Sequence, residues 1–340
     1  MSQSDAILVI GPSWVGDMVM AQPLLMLLQA RQPQRPVDVV APPWSLPLLQ
    51  RMPQVRRAIP LAVAHGQLAL AQRWQLGHSL RQHYQQAILL PNSLKSAIVP
   101  FAAQIPQRTG FLGEWRFGLL NDVRILHKAR LPRTVDRFVA LGVEPHEPLP
   151  ATPLPHLRSL PEQAVATLRH WLPAGLQRPI LALCPGAEFG PAKRWPLSHF
   201  AELARLAHHN GWQVILLGSG KEEALGQQIN ALAGGVGCNL IGRTALEQAI
   251  DLLSLAGCVV SNDSGLMHVA AALDRPVVAL FGSSDPQHTP PLGRQTRMIS
   301  LGVPCSPCFR RRCPLPNLPC LSAITPRYVL EQVEKAWPAP

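Results

Sequence analysis

Continuous apolar runs alternate with amphipathic helical stretches along almost the whole chain. Parallel strands that are buried on both faces have this appearance, so the alternation predicts an α/β fold of doubly wound sheets. The predicted strands are Ala6–Ile10, Val37–Val40, Ala87–Leu90, Val123–Leu126, Ile180–Cys184, Gln213–Leu217, Asn239–Ile241, Cys258–Ser261 and Val277–Phe281. The predicted helices are Met18–Gln29, Ser79–His83, Leu197–His208, Glu222–Ala233, Leu246–Leu255 and Leu266–Leu273.

The 340 residues are enough for two domains of ordinary size. A proline-rich segment without periodicity, Glu144–Leu160, is the predicted crossing between them. We therefore expect Rossmann-like domains over residues 1–155 and 156–325, and a C-terminal helix within 326–340 that packs back toward the first domain. Two doubly wound domains joined in this way are expected to hold ligands in a cleft between them, at the carboxyl ends of their strands.

The chain is basic, with 31 Lys and Arg against 20 Asp and Glu and a net charge of +11. This excess favours an anionic partner. Aromatic residues make up only 5% of the chain, which argues against an RNA-binding protein because stacking platforms are scarce. Residues 1–10 show no secretory signal, and no apolar run reaches the ~18 residues of a membrane span. We expect a cytoplasmic protein that makes at most peripheral contact with a membrane.

The turn Ser261–Gly265 leads from an apolar run directly into an alanine-rich helical pattern. The first backbone N–H groups of a helix have no partner within it, and the helix dipole is positive at that end. A polar turn of this kind therefore suits a phosphate group. The alternative is that Ser264 or Asp263 simply caps the helix.

The first strand runs into Gly11–Met18, whose glycines have the spacing of a phosphate-binding loop. Asp17, however, stands where that loop requires Lys, and a carboxylate repels phosphate. A carboxylate at the end of a strand is placed to act as a general base. The alternative is that Asp17 is a helix N-cap.

Two loops of the second half have the residues of a diphosphate site. In Cys184–Pro196, Gly186 allows a ligand to approach the backbone closely. Lys193 and Arg194 stand just before a helix, where positive charges are unfavourable unless an anion binds beside them. Gly218–Glu223 offers a carboxylate for a ribose, or is a plain strand-to-helix turn. Because no D-x-D pair occurs, we expect no metal in the site, and cations with a helix N-terminus would neutralise the diphosphate.

Cys305, Cys308, Cys313 and Cys320 form a C-x2-C-x4-C-x6-C pattern within a proline-rich loop. Four thiols this close could hold a structural zinc or iron centre. Alternatively they are reduced thiols in a compact loop. The other cysteines, Cys184, Cys238 and Cys258, lie in apolar runs and are expected in the core.

Four segments of the chain closely resemble the ADP-heptose:lipopolysaccharide heptosyltransferases, and most closely the type II branch of that family. They are GPSWVGDMVM (Gly11–Met20), PNSLKSA (Pro91–Ala97), CPGAEFGPAKRWP (Cys184–Pro196) and NDSGLMHVAAALDRP (Asn262–Pro276). The resemblance implies a GT-B fold and inverting, cofactor-free transfer of L-glycero-D-manno-heptose from ADP-heptose. The implied acceptor is the first inner-core heptose, on heptosyl-Kdo2-lipid A at the inner-membrane surface. Nucleic acid is not an implied partner.

The same resemblance implies roles for individual residues. Asp17 would be the base, Lys193 would hold the donor phosphates, and Asp263 would contact the heptose hydroxyls. Gly186, Ser264, Gly265, Leu266 and His268 would line the donor, with Glu222 preferred over Glu223 at the ribose. Ala187 and Glu188 depart from the family pattern, which has a hydroxyl residue after the CPG turn. Basic residues of the first half fit an anionic acceptor, namely Lys95, Arg108, Arg116, Arg124, Arg130, Arg133 and Arg137.

Two other enzyme functions are alternatives to the one that this resemblance implies. A sister transferase, heptosyltransferase I or III, would use the same donor on another core position, and the acceptor-side loops decide between them. A nicotinamide-dependent oxidoreductase would need G-x-G-x-x-G after the first strand, and Gly11–Asp17 does not supply it.

Overall fold

The computed structural model describes residues 5–64 and 66–337, which form two compact units divided between Pro155 and His156. The division falls within the proline-rich segment, where residues 144–160 contain neither helix nor strand. The outermost residues of the predicted domains, 1–4 and 338–340, lie outside the described part. Among the described residues, no helix is long and apolar enough to cross a bilayer.

The first unit is a six-stranded parallel sheet with helices between its strands. Its strands are β1 (Ala6–Ile10), β2 (Val37–Ala41), β3 (Val55–Pro60), β4 (Tyr84–Leu89), β5 (Gln107–Phe111) and β6 (Asp122–Arg124). Its helices are α1 (Val15–Arg31), α2 (Leu46–Gln50), α3 (Leu70–Ser79), α4 (Ile98–Ala102) and α5 (Thr134–Ala140). The strand order is β3-β2-β1-β4-β5-β6, and every residue of β1 is buried, as a central parallel strand requires.

The second unit repeats this architecture with strands β7 (Ile180–Cys184), β8 (Gln213–Leu216), β9 (Cys238–Asn239), β10 (Ala256–Asn262), β11 (Val277–Leu280) and β12 (Thr296–Ile299). Its helices are α6 (Pro161–Trp171), α7 (Leu197–His209), α8 (Glu223–Leu232), α9 (Leu246–Ser254), α10 (Gly265–Ala272), α11 (Pro319–Ser322) and α12 (Pro326–Ala336). All pairings are parallel, in the order β12-β11-β10-β7-β8-β9. Counted from its own first strand, this sheet has the same order as the first one. The predicted α/β class with two Rossmann-like domains, as in the GT-B fold, is confirmed.

The last helix, α12, belongs to the second unit. It packs against α7 and against strands β10 and β11. Val329 and Val333 are fully buried in the core of that unit, together with Trp195 and Phe200. The prediction that this helix also packs toward the first domain stays a prediction.

Some predicted elements are displaced. The helix predicted over Ser79–His83 is wrong, because α3 ends at Ser79 and Gln82 has a φ of 65°, which no α-helix contains. The strands predicted over Val123–Leu126 and Asn239–Ile241 lie earlier, at β6 and β9. The edge strands β3 and β12 were not predicted. Both carry exposed arginine, which an edge strand tolerates and a continuous apolar run does not contain.

Candidate active site

In the second unit, the predicted site residues lie on loops that leave two neighbouring strands. Ser261 of β10 pairs with Cys184 of β7, so the loops that follow these strands start side by side. The chain passes from β7 to α7, which packs with α8 and α12, and from β10 to α10, which packs with α9. Neighbouring strands whose following helices lie on opposite faces form a switch point, where open α/β sheets bind ligands.

Asn262 joins these two loops. Its side chain is fully buried, and its Oδ1 accepts a hydrogen bond from the backbone N–H of Trp195 at 3.0 Å. Its Nδ2 donates to the carbonyl of Pro185 at 2.6 Å. Asn262 therefore fixes the loop that carries Lys193 against the end of β10. It was not a predicted site residue, although an amide at the end of an apolar run was a usable signal.

Lys193 and Asp263 form an ion pair. Lys193 ends a single helical turn, Pro191–Lys193, and its Nζ lies 2.5 Å from Oδ2 of Asp263 and 5.0 Å from the centre of the Phe189 ring. The Asp263 side chain is only 6% exposed. The cation assigned to the donor phosphates and the carboxylate assigned to the sugar thus lie together. An incoming phosphate group would compete with Asp263 for Lys193, because both are anions.

The start of α10 is not capped by a side chain. Ser264 occupies the N-cap position with extended backbone, but its hydroxyl makes no hydrogen bond to the helix. Its Oγ instead lies 3.0 Å from Oγ of Ser261. Because the Asp263 carboxylate pairs with Lys193, the interpretation that these side chains merely cap the helix is wrong. The helix dipole at Gly265 and Leu266 therefore stays available to an anion.

His268 lies one turn into α10 and is buried. Burial lowers the pKa of its imidazole to about 4, with nearby Asp263 opposing this shift and Lys193 adding to it. The ring is neutral at pH 7 as a result. It can donate a hydrogen bond to a ligand or accept one from it, but it adds no positive charge to the site.

Gly186 and Glu222 are in close contact. An ideal Cβ on Gly186 would lie 1.9 Å from Oε1 of Glu222, so any larger residue would force this carboxylate to move. Glu222 is buried, and its Oε2 accepts hydrogen bonds from the backbone N–H and the hydroxyl of Ser219, at 2.8 and 2.9 Å. The bond from the Ser219 backbone N–H is one half of the capping box of the turn Gly220–Glu222. Gly186 was predicted to let a ligand approach the backbone. In the structure it provides the space that the Glu222 side chain occupies. Glu223 next to it is exposed.

The two positions that depart from the family pattern have ordinary structural roles. Ala187 is buried, and its carbonyl accepts a 3.4 Å hydrogen bond from Arg194. Glu188 forms an exposed ion pair with Lys221 at 2.6 Å. Arg194, which was predicted with Lys193 as a cation for the phosphates, therefore uses part of its guanidinium to bond a carbonyl of its own loop.

Five buried polar side-chain atoms of the second unit have no hydrogen-bond partner within the described residues. They are Nε1 of Trp171, Nε of Arg194, Oδ1 of Asn230 and the hydroxyls of Ser283 and Ser284. Both serines follow β11, the neighbour of β10 in the sheet. Unsatisfied buried polar atoms call for a partner. These serines are candidate ligand contacts that sequence reasoning missed, and their only sequence signal was a polar pair after an apolar strand.

The first unit has a switch point of the same kind, between β1 and β4. Ile10 pairs with Leu89, and the following loops lead to α1 and α4. Asp17 lies in the first turn of α1, partly buried. The N-cap of α1 is Trp14, so the alternative in which Asp17 is the cap is wrong. Asp17 is left in the position predicted for a general base, at the carboxyl end of β1.

Arg116 holds the other loop of this edge, the Pro91–Ala97 segment. It is fully buried, and its Nη1 donates to the carbonyl of Pro91 at 2.8 Å and to the hydroxyl of Ser96 at 3.1 Å. Its Nη2 donates to the carbonyl of Phe111. Burial lowers the pKa of this guanidinium, yet its charge is used in internal hydrogen bonds. Arg116 is therefore a structural residue and not an acceptor contact.

Most of the basic residues expected on the acceptor side are also bonded internally. Their side chains pair with nearby carboxylates or donate to backbone carbonyls of the same unit: Arg108, Arg116, Arg124, Arg133 and Arg137. In the described ranges, Lys95 and Arg130 make no such side-chain bond. Lys95 lies in the turn Leu94–Ala97 at the end of β4, beside the loop of Asp17. It is the cation best placed for an anionic acceptor group.

Of the four cysteines in the predicted pattern, Cys305, Cys308 and Cys313 lie in the loop before α11, and Cys320 lies within α11. All are free, from the exposed Cys305 to the buried Cys320. Burial and the neighbouring thiols of Cys305, Cys313 and Cys308 raise the pKa of Cys320. Within residues 5–64 and 66–337, no group of three or more His, Cys, Asp or Glu side chains is arranged to hold a metal ion. The same loop touches the site, because the carbonyl of Arg311 accepts the N–H of Ala192 at 3.1 Å.

Comparison with known proteins gives consistent results. The profile of glycosyltransferase family 9 (heptosyltransferase) matches residues 73–318. Lipopolysaccharide heptosyltransferase 2 of Salmonella typhimurium is 50% identical over 305 residues, which cover 87% of this chain and 88% of that protein. The structure of Escherichia coli ADP-heptose lipopolysaccharide heptosyltransferase II superposes with a TM-score of 0.86 and 44% identity over 98% of both chains.

A family 9 glycosyltransferase from Veillonella parvula shows the same fold, with a TM-score of 0.83 at 17% identity over 99% of this chain and 98% of that one. The family profile covers well over half of the chain, and it includes the loops of Lys193 and Asp263 described above. The chain is a glycosyltransferase and belongs to family 9, the heptosyltransferases.

Proposed function

We propose that this enzyme transfers L-glycero-D-manno-heptose from ADP-heptose to the first heptose of the lipopolysaccharide inner core. Similarity to heptosyltransferases named type 2, over most of the chain, supports this acceptor position. The observation that carries the proposal is the Lys193–Asp263 pair beside the uncapped start of α10. This arrangement offers a cation and helix amides to a diphosphate, and a carboxylate to sugar hydroxyls.

On the donor side, Lys193 and the backbone amides at Ser264, Gly265 and Leu266 hold the diphosphate. Binding of the diphosphate takes Lys193 from Asp263, whose carboxylate then accepts hydrogen bonds from the heptose. His268, being neutral, contributes a hydrogen bond. Glu222 or Glu223 contacts the ribose. Burial and the Ser219 bonds favour a supporting role for Glu222, and the exposed Glu223 is the alternative contact.

On the acceptor side, Asp17 removes the proton of the attacking hydroxyl. The hydroxyl oxygen bonds to the anomeric carbon while the bond from that carbon to the diphosphate oxygen breaks, and ADP leaves with the bonding electrons. This single displacement inverts the anomeric centre. Charge grows on the leaving phosphate as the bond breaks, so Lys193 stabilises the transition state more than the ground state. Neither a metal ion nor a cofactor takes part.

Lys95 binds an anionic group of the acceptor, which carries carboxylates and phosphates. Because heptosyl-Kdo2-lipid A is a lipid, the enzyme works at the cytoplasmic face of the inner membrane. The hydroxyls of Ser283 and Ser284, which lack partners among the described residues, bind the donor.

The test uses purified enzyme, ADP-heptose and defined core acceptors that carry zero or one heptose, with the products measured by mass spectrometry. The expected product is one added heptose on the acceptor that already carries one. Addition to the heptose-free acceptor would instead indicate a sister transferase with another core position. No transfer to either acceptor would contradict the proposal.

A further inference from the structure

Large aromatic side chains are exposed along one edge of the first sheet. Trp14 follows β1, Trp44 follows β2, and Trp115 with Phe117 follows β5. We refer to these four residues as the aromatic edge. Because all strands of this sheet are parallel, the loops that follow them leave from the same edge. Trp115 is 85% exposed and Phe117 60%, and their ring centres lie 6.2 Å apart.

The backbone that presents Trp115 is strained. Glu114 and Trp115 have φ angles of 45° and 55°, so two consecutive residues other than glycine are left-handed. This conformation is unfavourable for a bulky residue and persists only where the surroundings enforce it. Such an outlier is a reason to look for a function at the residue it presents.

Three contacts enforce this turn. The Glu114 carboxylate accepts the N–H of Leu94 at 2.8 Å, and the next residue, Arg116, is buried and bonded to Pro91. Before the turn, Gly113 lies so close to Asn92 that an ideal Cβ would be 2.7 Å from its carbonyl oxygen. The backbone of the turn is thus fixed on both sides, while the indole ring of Trp115 is exposed to solvent.

The charges along this edge favour an anionic surface. Lys128 and Arg130, in the loop after β6, are exposed, and Lys95 is partly exposed after β4. The acidic residues of these loops are Asp17 in α1 and Glu114, whose carboxylate is held by the N–H of Leu94. Indole and phenyl rings favour the headgroup region of a bilayer, and lysine and arginine are attracted to its anionic lipids.

We propose that the aromatic edge docks the enzyme on an anionic bilayer, with Trp115 and Phe117 entering the headgroup region. The proposal extends the proposed function, whose acceptor is itself a lipid. Docking holds the carboxyl edge of the first sheet, and with it Asp17 and Lys95, at the surface that contains the acceptor.

Flotation of the enzyme with phosphatidylethanolamine–phosphatidylglycerol vesicles that lack any acceptor tests the docking. The double variant Trp115→Ala/Phe117→Ala should partition about tenfold or more weakly, because two interfacial rings are lost. The control is Leu232→Ala/Phe309→Ala, which removes two apolar side chains of the second unit that are 56% and 57% exposed and should partition like the wild type. Circular dichroism verifies that both variants are folded.

Vesicles with brominated acyl chains give a second readout. They should quench part of the wild-type tryptophan fluorescence, and Trp115→Phe should bind nearly as well while losing a substantial share of that quenching. The docking also predicts that Trp115→Ala/Phe117→Ala keeps its turnover on a water-soluble, delipidated acceptor and loses it on acceptor in vesicles.

Vesicle binding needs neither donor nor acceptor, so this test stays valid if heptosyl transfer itself is not found. Equal partitioning of wild type and double variant would overturn the proposal. Binding only to vesicles that contain the acceptor would assign the rings to acceptor sugars instead. Self-association that the double variant abolishes would assign them to a contact between two copies of the chain.

Discussion

Lys193 and Asp263 are 70 residues apart in the chain, and their side chains form a 2.5 Å ion pair. Removing one partner from a pair this buried leaves an uncompensated charge. In the proposed function, a diphosphate bound at Lys193 would release Asp263 without leaving either charge unpaired, because the lysine would gain phosphate and the carboxylate would gain sugar hydroxyls. The two donor contacts would then depend on each other through this pair.

Lys193→Ala should lower kcat about a hundredfold, which corresponds to ~3 kcal/mol of lost charge stabilisation. It should also raise KM for ADP-heptose while KM for the acceptor changes little. Lys221→Ala is the matched control, since Lys221 is an exposed lysine paired with Glu188 and should keep near-normal kinetics. Steady-state kinetics with each substrate varied in turn measure both. A wild-type kcat with a raised acceptor KM would place Lys193 on the acceptor instead.

Asp17→Asn should reduce turnover by about two to four orders of magnitude, the usual share of a general base. ADP binding, followed by calorimetry, should stay nearly unchanged because Asp17 lies in the other unit from Lys193. Asp274→Asn, at a partly exposed carboxylate 3.7 Å from Arg294, is the control. If Asp17→Asn turned over normally, another base would have to be sought.

Catalysis should survive exhaustive treatment with EDTA, because in the proposed function Lys193 and the N-terminus of α10 take the place of a metal ion at the diphosphate. Activity is measured before and after chelation, with circular dichroism recorded in parallel to detect any unfolding of the cysteine loop. Loss of activity in a folded enzyme, restored by Mg²⁺ or Mn²⁺, would be incompatible with a metal-free site.

Burial of His268 should make stability depend on pH. The pKa of its imidazole is about 4 in the folded chain and ~6.5 when unfolded, so the unfolded state binds more protons between these values. This contribution is complete above pH ~6.5 and is lost as the pH falls, by about 2 kcal/mol at pH 5. Urea unfolding of wild type and His268→Gln at several pH values measures it. Parallel curves for the two proteins would refute a neutral, buried His268.

Gly186→Ala should displace the Glu222 carboxylate and break its bonds to Ser219, at a cost of about 1–3 kcal/mol. Gly220→Ala is the control, because its Cβ would meet nothing within 4 Å. Adding Glu222→Ala to Gly186→Ala should remove most of the penalty attributable to the clash. Thermal unfolding of the single and double variants gives this coupling, and additive effects would show that the contact is unimportant.

The interior strands of both sheets were predictable because they are buried on both faces. β1, β7 and β10 carry continuous apolar runs and lie where predicted, within a few residues. The strands β3 and β12 were not predicted because their arginines interrupt the apolar pattern. An edge strand tolerates such residues because part of its surface is exposed to water. The helix predicted over Ser79–His83 is excluded by one left-handed residue, Gln82, which no hydrophobic pattern reveals.

For the site, the sequence indicated which turns follow a strand and precede a helix, and it placed Lys193 and Asp263 in two of them. Their ion pair was not predictable, since it depends on β10 lying beside β7 in the sheet. The same holds for Asn262, whose partners Trp195 and Pro185 lie 67 and 77 residues away. Distant partners require the strand order, which local patterns do not contain.

The shared strand order of the two sheets has a consequence for how such enzymes diversify. Each half provides its own pair of loops at the place where its strand order reverses. In the proposed function the two substrates bind to these separate stretches of chain, so changes in the loops after β1 and β4 would alter which saccharide is extended without touching the residues that bind the activated sugar. One half would then stay constant while the other varies, and new linkages would arise from a constant donor.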